Sequence, residues 1–105
     1  SLMSETLLEM LDEVRHKLGS PIKINSGYRT EEHNAKVGGK PKTETSKGSS
    51  HMYGLAADLS CTNSTDRYNL IFLLQETGFQ RIGVGSTFIH VDIDFDKAQS
   101  VMWTY

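Results

Sequence analysis

Three residues in this chain are of the types, and at the spacings, that bind metals. His51 and Asp58 lie seven residues apart in "GSSHMYGLAADLS", and His90 lies in "TFIHVDID". Side chains alternate across a strand. If 87–94 is a strand, Ile89, Val91 and Ile93 share one face, and Phe88, His90, Asp92 and Asp94 share the other. If 54–60 is a strand, Leu55, Ala57 and Leu59 point one way, and Ala56, Asp58 and Ser60 the other. Small Ala56 leaves room beside Asp58, and Gly54 allows a sharp turn that brings His51 back over the same face. Neighbouring strands lie roughly 5 Å apart, so Asp58 and His90 on adjacent strands can reach one ion, with His51 completing the set. Two histidines, one carboxylate and an open fourth position make the composition of a catalytic zinc site. A water there is acidified toward neutrality and a substrate carbonyl is polarised. Spacing alone leaves two other readings open. Polar residues occur on solvent faces without any function, and His-x-Asp with a distant His is the iron(II) set of oxygenases. In that pattern the distant histidine follows the triplet, and here no histidine follows His90.

The totals narrow the class. With 105 residues the chain holds one domain and one modest core. A formal charge of −2 and the lack of a basic cluster argue against nucleic acid as a partner. One cysteine, Cys61, rules out an internal disulfide framework and a cysteine-rich zinc site, so any metal must be held by histidine and carboxylate. No apolar run reaches the length of a membrane span. Ser1-Leu2 ahead of Met3 reads as a cloning scar, and no basic-then-apolar leader opens the chain. The expectation is a domain made without a secretion signal, and a monomer.

The elements that would position these residues follow from periodicity. Leu7, Leu8, Leu11, Val14 and Leu18 recur at helical spacing, with Ser4 to cap the helix and Gly19 with Pro21 to end it. "IKIN" is a short strand and "SGYR" turns out of it. "TEEHNAKVGG" is a short helix with Thr30 as cap, and "KPKTETSKGSS" is an exposed polar loop. "STDRYNLIFLLQETG" is a second long helix, with Ser64 as cap and Gly78 as stop. "FQRIGVG" and "TFIHVDID" are strands joined by a tight turn around Gly85-Ser86. The class is α+β: a small antiparallel sheet with helices packed on one side. His16 and His33 fall on helices and read as surface residues.

"SGYRT", "SSHMYGLAADL" and "GVGSTFIHVDID", in that order, resemble the zinc D-alanyl-D-alanine carboxypeptidase family, whose fold is shared with the zinc-binding domain of hedgehog proteins. The family's Ser-x-His-x-x-Gly-x-Ala-x-Asp signature appears complete as Ser49, His51, Gly54, Ala56 and Asp58. The resemblance covers nearly the whole chain as a single zinc metallopeptidase domain, 1–105. It implies His51, Asp58 and His90 as Zn2+ ligands. It also implies that Arg29 is the arginine that binds substrate at the scissile bond, with Tyr28 and Ser49 beside it. The substrates it implies are peptidoglycan stem peptides, cut either at a terminal D-alanine or between L-alanine and D-glutamate. It implies action at the bacterial cell wall, as in phage-type lysis enzymes.

Two departures from the family pattern bear on mechanism. Several members carry an acid or base two or three residues before the last ligand, where this chain has Phe88 and Thr87. The "HVD" form puts Asp92 after the histidine instead. Asp92 is therefore the candidate general base, with orientation of His90 as its alternative role. Asp94 and the 40–50 segment stand next in line. That segment is also longer than expected in close relatives. Hedgehog-like domains keep zinc yet act by binding, so a non-catalytic zinc module is the competing function.

Overall fold

The computed structural model describes residues 3–26 and 54–105. The expected helix at 30–39 and loop at 40–50 lie outside the described residues. Helix α1 spans Glu5–Leu18. Ser4 Oγ accepts from the Leu7 amide at 3.4 Å. Gly19, at φ 77°, closes the helix by donating its amide to the Arg15 carbonyl. A side chain there would strain the left-handed backbone, which is why glycine ends the helix. Leu7, Leu11 and Val14 form its buried stripe.

Helix α2 spans Ser64–Thr77 and ends at Gly78, φ 111°. Its cap is Asn63 rather than Ser64. Asn63 is extended, and its side-chain oxygen accepts from the Asp66 amide at 2.9 Å. Its side-chain nitrogen donates back to the Asp66 carboxylate at 2.7 Å. "TNST" offers four residues able to cap, and periodicity does not choose among them. The Asn63–Asp66 exchange, which bonds in both directions, makes the choice.

Among the described residues, five strands form one sheet in the order β1-β2-β4-β3-β5. They are β1 (Ile24–Ser26), β2 (Ala56–Ser60), β3 (Arg81–Val84), β4 (Phe88–Asp92) and β5 (Val101–Thr104). Strands β1 to β4 pair antiparallel, as expected. Strand β5 runs parallel to β3 along the sheet's edge, so the sheet is mixed and not wholly antiparallel. The α+β class stands. The segment between β4 and β5 carries the chain past β3 and lets β5 enter in the same direction. The Val101 amide donates to the Gln80 carbonyl at the start of that pairing.

Both described helices lie on one side. Ala57 and Leu59 from β2, Ile82 from β3, and Ile89 and Val91 from β4 pack with Leu7, Leu11, Val14, Leu70 and Leu74 into one core. Ala57, Leu59, Ile89 and Val91 in this core are residues that alternation assigned to the inner face. The opposite face carries no helix among the described residues, and the polar residues stand there.

Candidate functional site

On the open face, Asp58 and His90 are directly opposed in the β2–β4 register. Asp58 Oδ1 lies 3.0 Å from His90 Nδ1. The other ring nitrogen, Nε2, lies 2.7 Å from Asp92 Oδ2. The imidazole is thus gripped at both edges by carboxylates. Burial by itself pushes its pKa down, but the hydrogen bonds and charges of Asp58 and Asp92 outweigh that and hold it above the usual histidine value.

Asp92 is only 2% exposed. Its second oxygen, Oδ1, accepts from Arg81 Nε at 2.7 Å and from the Asp94 amide at 3.1 Å. Burial pushes its carboxyl up. The His90 hydrogen bond and charge, the Asp94 amide and the Arg81 guanidinium overcome this and hold it below the ordinary carboxylate range. A buried carboxylate is stable only when it is paired in this way. With both oxygens engaged, Asp92 makes the contact of a group that orients a histidine.

If Nε2 keeps its hydrogen for Asp92, Nδ1 is left with a bare lone pair aimed at the Asp58 carboxylate. A divalent cation seated between these atoms would meet one neutral imidazole nitrogen and one carboxylate oxygen, the donors zinc prefers. The described part of the site therefore fits the group. Among the described residues, no cluster of three His, Cys, Asp or Glu side chains forms a complete metal site. His51, the third expected ligand, lies outside them, as do Tyr28, Arg29 and Ser49. Asp94 is fully buried, with its Oδ1 accepting from the Asp96 amide at 3.2 Å and its carboxylate 3.8 Å from Lys97 Nζ.

Sequence reasoning passed over two neighbours. Arg81 opposes Asp92 in the β3–β4 register and reaches it from the next strand. Trp103, on β5, has its ring centroid 5.4 Å from that of His90. The run "SVMWTY" carries Val101, Trp103 and Tyr105 at alternate positions, a strand signal that could have been read. Nothing in the sequence said that this strand would lie beside β3. Glycine makes the approach possible: Gly83 opposes both His90 and Trp103, and a Cβ built on it would lie 2.7 Å from Trp103 Nε1.

No curated protein matches the chain. The Peptidase M15 family model matches residues 2–93, which takes in every described element except β5. With so much of the chain matched, and with Asp58 opposed to His90 on the open face of the sheet, the protein belongs to the peptidase M15 family, whose members hydrolyse peptide bonds.

Proposed function

We propose that this protein is a zinc-dependent peptidase that cuts the stem peptides of peptidoglycan. The observation that carries the reading is the Asp58–His90 pair, with His90 Nδ1 facing Asp58 at 3.0 Å and Nε2 held by Asp92 at 2.7 Å. Asp58 and His90, with His51, would hold the metal. Zinc in such a site supplies a Lewis acid that polarises the scissile carbonyl and activates water. The remaining work falls to the chain's own groups. Asp92 keeps the His90 ring in one orientation and one tautomer. Arg29, with Tyr28 and Ser49, grips the peptide, because a planar, permanently charged fork suits a carboxylate or a polarised carbonyl. Asp92 acts on this reading through His90 and not as the general base, since both its oxygens are occupied and it is shut off from water.

The cell-wall substrate is supported by the complete Ser49–Asp58 signature and by membership of the peptidase family. The test is digestion of purified peptidoglycan, with mass spectrometry of the released peptides. The expected outcome is cleavage at one type of stem-peptide bond, abolished by a chelator and restored by zinc. Retained zinc with intact peptides would instead make the chain a binding module. Turnover that depends on iron and 2-oxoglutarate would overturn the peptidase reading.

A further inference from the structure

The contacts around His90 close into a ring. Asp92 holds Nε2 of the imidazole. Arg81 holds Asp92 through Nε. The Arg81 guanidinium lies over the Trp103 ring, with Cζ 5.0 Å from its centroid. Trp103 in turn packs against the His90 imidazole at an interplanar angle of 51°. One further bond ties this ring to the chain beyond β4: Arg81 Nη1 donates to the Ala98 carbonyl at 2.6 Å. Ala98 and Trp103 both lie outside the residues matched by the family model.

We propose that Arg81 and Trp103 are positioning residues for the metal site, acting on His90 through its edge and its face. The inference rests on reading His90 as a ligand. An imidazole can rotate about two side-chain bonds and can carry its neutral hydrogen on either nitrogen. Asp92 selects Nε2–H only while its own carboxylate stays put. Arg81 fixes that carboxylate from the next strand, and the Asp94 amide assists. Trp103 blocks rotation of the ring out of plane. Arginine suits the place for reasons beyond charge. Its planar fork donates to Asp92 and to Ala98 from different nitrogens while its flat face lies on an indole. A lysine would neutralise Asp92, but its compact ammonium has no planar fork to meet Asp92, Ala98 and the indole at the same time. Gly83 completes the device, because any side chain on it would push Trp103 away from His90.

The test uses the variants Arg81→Met, Arg81→Lys, Trp103→Leu and Trp103→Phe, with two readouts. The first is zinc affinity, measured by competition with a chromophoric chelator. The second is the nitrogen-15 NMR pattern of the His90 ring in metal-free protein at alkaline pH, where the ring is neutral. The expected result is a single Nε2–H tautomer in the unsubstituted protein, because Asp92 lies closer to Nε2, at 2.7 Å, than Asp58 does to Nδ1, at 3.0 Å. Arg81→Met and Trp103→Leu should give mixed tautomers and zinc binding weakened about ten- to hundredfold. Trp103→Phe, which keeps an aromatic face, should recover most of the loss, and Arg81→Lys should recover little. Arg81→Met and Trp103→Leu proteins that melt earlier but keep both the single tautomer and the original zinc affinity would overturn the proposal and leave the pair as ordinary packing. Recovery by Arg81→Lys equal to that of arginine would overturn the part assigned to its geometry. If the unsubstituted protein binds no zinc, the proposed function fails, yet the tautomer readout still decides the role of Arg81 and Trp103.

Discussion

The two faces of the sheet bury their residues by different means. On the helical face, Leu59, Ile89 and Val91 are wholly buried, and the helices α1 and α2 supply the cover. On the open face, His90 and Asp92 are 8% and 2% exposed with no described helix above them. Among the described residues, Arg81 pairs with Asp92 and the ring of Trp103 packs against His90. Hydrocarbon needs only volume and shape to be buried favourably. An ionised carboxylate needs a partner for each oxygen, and Asp92 has them. Adjacent residues on one strand, Ile89 and His90, therefore answer to different physics. Core packing makes one face stable, and a chain of directed bonds makes the other specific.

The largest effect expected from breaking this comparison is on the open face. His90→Ala should abolish stoichiometric zinc, as measured by elemental analysis of the dialysed protein, while the helical core keeps the fold. Full zinc retention would remove His90 from the ligand set. Next comes Leu59→Ala, one residue from Asp58 but on the opposite face. It should lower unfolding free energy by about 2–5 kcal/mol in denaturant titration. Zinc affinity of the protein that remains folded should stay unchanged, and a parallel loss of affinity would show that the faces are not independent.

Asp92→Asn sits third. An amide can still accept from His90, but it has lost the charge that fixes the tautomer. Zinc affinity should fall about ten- to hundredfold, with activity recovered at high zinc. Turnover lost at unchanged affinity would return Asp92 to the role of general base.

The smallest effect is on pH dependence in metal-free protein. The folded-state pKa of His90 is raised above its ordinary value of about 6.5, because Asp58 and Asp92 outweigh the opposing effect of burial. Its contribution to stability is therefore complete below that ordinary value and fades as pH rises through the folded one. The melting temperature of metal-free protein should drop between mildly acidic and mildly alkaline buffer, and His90→Gln should flatten the slope. A melting temperature that rises over the same range would contradict the pairing.

Much of this was legible in residue order. Alternation separated Ile89 and Val91 from His90 and Asp92, and it separated Ala57 and Leu59 from Asp58, because strand side chains have a period of two wherever the strand lies. Ser4, Gly19 and Gly78 marked helix ends through local backbone chemistry. The motifs at Ser49–Asp58 and His90 carried the family on residue identity alone. Choices that were local but degenerate, such as Asn63 over Ser64 as a cap, were not legible, since neighbouring residues could make similar bonds.

By itself, then, the sequence determined the two described helices, the inner and outer faces of β2 and β4, and the placement of Asp58, His90 and Asp92 on the outer one. The tertiary structure alone decided which residues face one another. Asp58 opposite His90, Arg81 opposite Asp92, and Gly83 between His90 and Trp103 are matters of strand order and register. Periodicity says which way a side chain points and nothing about which strand lies alongside. The parallel return of β5 depends on cooperative pairing between residues distant in the chain. The arginine and the tryptophan that hold His90 could be recognised only once that pairing had brought them to it.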